Sequence, residues 1–330
     1  MAEEAPAIED IRAAAKRIAG RIHRTPVMTS ATLDGELGAR VFFKCENLQK
    51  VGAFKARGAT NAVFSLAATA ARRGVSTHSS GNHGAALAFA AATRGIPCVV
   101  VIPHDAPPIK VAAVRGYGAD VVTCPRARRE ETAARVRRER GSTEIHPYED
   151  PRVVAGQGTA ALELIEEVGP LDVVVAPVGG GGLLAGTTLA TRALLPDCAV
   201  WGAEPERADD AFRSLESGVR QPGPSAPASI CDGLLTGLGE LAFDVLRRHG
   251  TRVVTVAEPE IVAATWWIFE RMKLVVEPSG AVVLAALRRR RGDLRGLRIG
   301  AVLSGGNVDL RALPAPAAEP SAGYDGAVVG

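Results

Sequence analysis

The chain has 330 residues, 47% of them apolar, with a formal net charge of +3. That is ample apolar material for one large core or two moderate ones, and the near-balanced charge gives little footing for a polyanionic partner such as nucleic acid. No uncharged apolar run reaches the roughly eighteen residues needed to cross a bilayer, so the expectation is a cytoplasmic, two-domain protein without membrane attachment.

In chain order, apolar runs that read as strands buried on both faces occur at 41–43, 75–77, 98–102, 120–123, 172–176, 200–203, 253–256 and 299–303, and alanine-rich helical segments alternate with them. Strands of that kind separated by helices predict an α/β fold with parallel-type sheets flanked by helices. Residues 74–141 carry their own strand and helix repeats and read as a smaller lobe inserted in a larger one formed by 1–73 and 142–311, with a ligand cleft between them. Arginines at 126–140 interleave with Glu130, Glu131 and Glu139, the pattern of a solvated helix face, and 288–291 place cations at a helix end. The segment 218–229 reads as a loop, and 312–330 as a disordered tail. Cys45, Cys98, Cys124, Cys198 and Cys231 are odd in number and scattered, which suits buried thiols better than disulfides or a zinc cage.

Four segments carry chemistry. Residues 45–59, Cys-Glu-Asn-Leu-Gln-Lys-Val-Gly-Ala-Phe-Lys-Ala-Arg-Gly-Ala, read as a strand end, a loop and a helix whose first turn presents Lys55. A lysine at the positive end of a helix is disfavoured as ammonium and is easier to use as a neutral nucleophile. Residues 77–84, Thr-His-Ser-Ser-Gly-Asn-His-Gly, place amides and small hydroxyls at a helix start, an anion cradle or a plain capped turn. Gly179, Gly180, Gly181 and Gly182 join a strand to a helix and allow close approach to a phosphate. Ser304 in Ser-Gly-Gly-Asn follows the last buried strand, where it donates into a cleft or caps a turn. Glu204 and Asp210, with the carbonyl of Ala208 between them, offer hard oxygen ligands suited to Mg²⁺, Ca²⁺ or Mn²⁺, or are acidic residues of a surface turn. The histidines 78, 83, 104 and 146 have no ligand spacing.

In this order and spacing the four segments resemble the fold type II, tryptophan synthase β-like enzymes that use pyridoxal 5'-phosphate (PLP), in particular the serine/threonine dehydratases and their serine racemase branch. The resemblance covers about 11–310. It implies that Lys55 forms the Schiff base, that Asn82 contacts the ring hydroxyl, that the phosphate lies on Gly179, Gly180, Gly181 and Gly182, and that Ser304 faces the ring nitrogen. It implies further that Ser79, Asn82 and His83 surround the substrate, that Ser80 is a second acid/base, as in the racemase branch, and that Glu204, Ala208 and Asp210 form a divalent-cation site. The expected activity is ammonia-lyase action on L-serine or L-threonine, with serine racemisation beside it, in a homodimer. The alternative substrate is 3-hydroxyaspartate, whose extra carboxylate needs a cation, with Arg129 a candidate. A non-catalytic phosphate-binding protein would need the glycine loop but not Lys55. Tyr148 departs from the smaller polar residue of nucleotide-responsive racemases, which argues against ATP regulation, and Ala53 stands where many relatives have serine.

Overall fold

The structure is a computed structural model that describes residues 4–316 apart from Ser80, Asp105, Pro107, 224–228 and the side chains of 108–110. The chain opens with helix α1 (Ile8–Ile18), a short strand β1 (Val27–Met28), α2 (Ala31–Leu37), β2 (Arg40–Cys45), α3 (Lys55–Ser65) and α4 (Ala68–Arg73). There follow β3 (Val75–His78), α5 (Asn82–Arg94), β4 (Cys98–Pro103), α6 (Pro108–Gly116), β5 (Asp120–Cys124), α7 (Arg129–Arg140) and β6 (Thr143–Glu144). The remainder comprises α8 (Pro151–Val168), β7 (Val173–Pro177), α9 (Gly182–Leu194), β8 (Ala199–Pro205), α10 (Asp210–Ser217), α11 (Glu240–Arg248), β9 (Arg252–Val256), α12 (Glu258–Trp267), α13 (Pro278–Arg289) and β10 (Arg298–Leu303).

The strands form two sheets, a six-stranded one ordered β1-β2-β10-β7-β8-β9 and a four-stranded one ordered β5-β4-β3-β6. All pairings are parallel except that of β1 with β2. The expected α/β fold with helix-flanked parallel sheets is therefore the one observed, and every strand read from an apolar run is present. The two strands without a sequence signature, β1 and β6, are two residues long, too short for any periodicity to register. The smaller sheet is drawn from 75–144, so its last strand lies just past the lobe boundary expected at 141. Of the expected tail, 312–330, only Ala312 belongs to a helical turn, Leu310–Ala312, and 317–330 lie outside the described residues. All five cysteines are free and buried.

Parallel strands deliver their functional loops at their C-terminal ends, and neighbouring strands deliver them side by side. β2, β10 and β7 are adjacent, so the lysine loop, the Ser-Gly-Gly-Asn turn and the glycine loop emerge next to one another. Phe54 N–H donates to Ser304 O at 2.9 Å, and Ala53 and Gly305 form an isolated bridge between two of these loops.

Helix α3, which begins with Lys55, is held by close contact with α8. A Cβ on Gly156 would stand 2.6 Å from the Cα of Gly58, so only glycines let these backbones meet. A buried charge cluster completes the attachment. Arg57, fully buried, donates from Nε to Glu46 Oε2 at 2.7 Å and from Nη2 to Glu46 Oε1 and Glu163 Oε2, each at 2.8 Å. Lys44, equally buried, reaches Glu163 Oε2 and Thr25 O, both at 2.7 Å. Burial alone would raise the Glu163 carboxyl, but the hydrogen bond and charge of Arg57, with Lys44, outweigh it and hold the group below its ordinary value.

A buried cluster with paired charges contributes little net stability while intact, yet losing one member leaves charges without compensation. Arg57→Met should therefore lower stability by about 3–5 kcal/mol in denaturant unfolding. An unchanged unfolding midpoint would contradict this account of how α3 is held.

Candidate functional site

The loops at the ends of β2, β10 and β7 meet the turn after β3 around a cleft of about 290 Å³. Its lining includes Lys55, Ser79, Asn82, His83, Gly179, Gly180, Gly181, Gly182 and Ser304, so the segments singled out from the sequence converge on one site. Ser80 lies outside the described residues.

Lys55 is the first residue of α3, and its Nζ donates to Pro147 O at 2.9 Å and stands 5.0 Å from the Phe54 ring centroid. The side chain is part-buried, and that burial lowers the pKa of its amine to about 8. The direction agrees with the expectation for a lysine at a helix start, and desolvation is its cause. A markedly larger fraction of the amine is neutral near pH 8 than for an exposed lysine, as a nucleophile requires.

The glycine loop is shaped so that no other residue fits. Gly181, at φ +87°, has a left-handed backbone, and a Cβ on Gly180 would lie 2.4 Å from the Tyr148 ring. Tyr148 thus covers this loop, while the preceding Pro147 carbonyl holds Lys55. Together with the start of α9, the loop forms a cradle of backbone N–H groups suited to a phosphate.

Across the cleft, Asn82 begins α5 and its Nδ2 donates to the buried Glu277 carboxylate, 3.0 Å to Oε1 and 3.3 Å to Oε2. The ring of His83 is 2% exposed, and because Nε2 lies 3.0 Å from the carbonyl of Ile145 it must carry the proton there. Burial, and then the charge of Lys55, push His83 well below its ordinary pKa, so the ring stays neutral. Ser79 Oγ accepts from Gly81 N–H at 3.2 Å. Ser304 is 3% exposed at the cleft floor.

Two features depart from the sequence reading. The arginine-rich segment 126–140 is solvated on one face, with Arg128–Glu131 and Arg135–Glu139 pairs, but Arg126 and Arg129 turn into the cleft wall. The expectation of a wholly solvated face is corrected there, because the one-turn helix before α7 brings the first turn over the site. Glu277 was not singled out. Its only sequence signal is its place just before the Pro-Ser-Gly that opens α13.

Glu204, near the end of β8, and Ala208 and Asp210, which follow it, are each about 1% exposed and do not line the cleft. Glu204 accepts from the N–H groups of Ala211 and Phe212 at 3.0 and 2.9 Å, and Asp210 Oδ2 from Leu238 N–H at 2.7 Å. Burial raises both carboxyls, Glu204 well above its ordinary value, and Asp210 adds to that rise. Among the described residues no group of three or more His, Cys, Asp or Glu side chains is placed to hold a metal. Two buried carboxylates, one raising the other's pKa, are nevertheless chemistry that a divalent cation would suit.

The sequence matches the family described as pyridoxal-phosphate dependent enzyme over residues 18–305. The chain is 49% identical to the beta-hydroxyaspartate dehydratase of Paracoccus denitrificans (strain Pd 1222), over 94% of this chain and 98% of that protein. Among solved structures, it is similar to the serine racemase of Dictyostelium discoideum, with a TM-score of 0.89, 46% identity and coverage of 92% of this chain and 99% of that one. The maize serine racemase matches with a TM-score of 0.91 and 42% identity, over 94% of this chain and 96% of that one. A solved threonine deaminase is similar as well, with a TM-score of 0.88 and 45% identity, over 92% of this chain and 99% of that one. A lysine with a desolvated amine, a phosphate-sized glycine cradle and these similarities agree, and the chain belongs to the pyridoxal-phosphate dependent enzymes of fold type II, in the group of ammonia-lyases and racemases.

Proposed function

We propose that the protein is an ammonia-lyase that removes water and ammonia from a small 3-hydroxy amino acid to give a 2-oxo acid, with Lys55 both holding PLP and moving the proton. The observation that carries this reading is the Lys55 amine itself, desolvated and lowered to about 8 at the meeting point of the site's loops. PLP, when bound, supplies the electron sink that makes the α-proton of an amino acid removable.

The chain's own groups account for the rest. Gly179, Gly180, Gly181 and Gly182, Asn82 and Ser304 all line the cleft; there the glycines would hold the phosphate, Asn82 would donate to the ring hydroxyl and Ser304 would face the ring nitrogen. A serine hydroxyl does not give its proton to a pyridine nitrogen as a carboxylic acid would, so the sink is weak and prompt loss of the β-hydroxyl is favoured. Ser79, Asn82 and His83 surround the substrate carboxylate, and Lys55 takes the α-proton. Ser80 is the proposed second acid/base, needed for racemisation and not for elimination. The setting proposed is a cytoplasmic homodimer, whose mass sedimentation measures. No helix among the described residues is long and apolar enough to cross a membrane.

Within this class the cleft wall favours one substrate over L-serine and L-threonine. Arg126 and Arg129 both line it, and Arg129 Nε is buried with no hydrogen-bond partner among the described residues. Guanidinium groups so placed suit a side-chain carboxylate, as in 3-hydroxyaspartate, in keeping with the dehydratase relative from Paracoccus. A divalent cation at Glu204, Ala208 and Asp210 would relieve the repulsion and desolvation that raise these carboxyls.

Five outcomes follow. Because the neutral amine attacks, the rate of PLP incorporation should rise through pH 8 and level off, whereas an inflection near the ordinary lysine pKa of about 10.4 would contradict a desolvated Lys55. Across a panel of hydroxy amino acids, 2-oxo acid release should be fastest with 3-hydroxyaspartate. Arg129→Met should cut that rate by roughly a hundredfold while sparing L-serine, and Ser80→Ala should abolish only interconversion of L- and D-serine. Equal loss across substrates would remove the carboxylate reading, and equal loss of racemisation and elimination the Ser80 reading. Chelator should lower the melting temperature and Mg²⁺ restore it, with no effect on Asp210→Asn; a native melting curve indifferent to chelator counts against the cation.

A further inference from the structure

A chain of hydrogen bonds at the rim of the cleft has only one consistent direction. Val51 adopts φ 57°, a left-handed backbone that β-branched residues rarely take, and this aims its carbonyl at Asn307. A carbonyl can only accept, so Asn307 must turn its amide nitrogen toward it, at 2.7 Å. The same nitrogen reaches Asn82 Oδ1 at 2.9 Å. Asn82 is thereby obliged to turn its oxygen to Asn307 and its nitrogen the other way, to Glu277 on the cleft wall.

The two ends of this chain lie on different parts of the fold. Asn307 follows β10 and is fixed to the lysine loop, since Gly306 N–H donates to Gly52 O at 2.9 Å. Gly52 is at φ 69°, and a Cβ there would stand 2.4 Å from Asn307 Oδ1, so glycine is what lets the amide approach. Asn82 belongs to α5, which follows a strand of the smaller sheet. Asn307 itself is exposed and does not line the cleft, so it acts there only through Asn82.

We infer that Asn307 is a positioning residue: the strained Val51 carbonyl orients its amide, and it in turn orients Asn82 so that an N–H, and not an oxygen, is presented to the cofactor's ring oxygen. The inference rests on the reading of Asn82 as the ring-hydroxyl contact. Without Asn307 only Glu277 would orient the amide, and any turned population would present its acceptor and repel that oxygen.

The test titrates apo-protein with PLP, following the absorbance of the bound cofactor, and records the melting of each apo-variant. Asn307→Asp places a carboxylate against the Val51 carbonyl and the Asn82 oxygen, and because Glu277 on the other side also accepts, either orientation of the Asn82 amide meets repulsion and its N–H is no longer held toward the cleft. Asn307→Ala removes the donor without adding an acceptor. Affinity should fall in the order native, Asn307→Ala, Asn307→Asp, the last by roughly tenfold, while the apo-variants melt within about 2 °C of each other. Asn307→Asp binding as well as Asn307→Ala, or affinity falling only in step with apo-protein melting, overturns the inference. Asn82→Ala, titrated beside them, separates the layers. Weak binding in Asn82→Ala with native binding in Asn307→Asp overturns the relay alone, and native binding in Asn82→Ala overturns the reading of Asn82 and the relay with it.

Discussion

The charge cluster around Arg57 is the interaction on which the site depends. Two residues after Lys55, a fully buried guanidinium binds Glu46, which directly follows the strand leading into the lysine loop, and Glu163, which belongs to the long buried helix α8. Because paired buried charges tolerate little displacement, the cluster sets the position of the first turn of α3 against both neighbours. That first turn is where Lys55 sits, and its position determines that the amine meets the Pro147 carbonyl and is buried enough to lower its pKa.

The rest of the site follows from strand order. With β2, β10 and β7 side by side, three loops with different tasks leave the sheet at one place, and a reactive amine, a hydroxyl and a phosphate cradle come within reach of one bound molecule. Glycine makes the close approaches possible: Gly58 and Gly156 between α3 and α8, and Gly180 beneath Tyr148. Substituting either kind would leave the chemistry of the residues unchanged but move them apart.

Much of this was legible in the sequence, and what was not has physical reasons. Lys55, Asn82, the four glycines and Ser304 lie in short segments whose composition carries a mechanism, so they could be found without coordinates. Glu277 could not, because a glutamate before a proline looks like an ordinary helix start, and its importance comes from facing Asn82 across 195 positions of sequence. Arg126 was hidden by company, and Arg129 was named only as a candidate cation within a helix otherwise read as solvated: in a run of arginines and glutamates, helical periodicity says which residues share a face but not which turn of the helix overhangs a cleft. The strands β1 and β6 have too few residues for a pattern. The strained Val51 is likewise invisible, since nothing in the residues around a valine announces a left-handed backbone.

The account's central claim is that one lysine, Lys55, carries the cofactor because burial in the cleft lowers its pKa to about 8 and leaves its amine facing the site. Its neighbours in sequence differ: Lys44 is buried but fully paired with Glu163, and Lys50 lies in a loop outside the cleft lining. The most direct measurement is borohydride reduction of the PLP-loaded protein, followed by digestion and mass spectrometry of the labelled peptide. The account predicts the cofactor fixed to Lys55 and to no other residue. Label on Lys44 or Lys50 would contradict it.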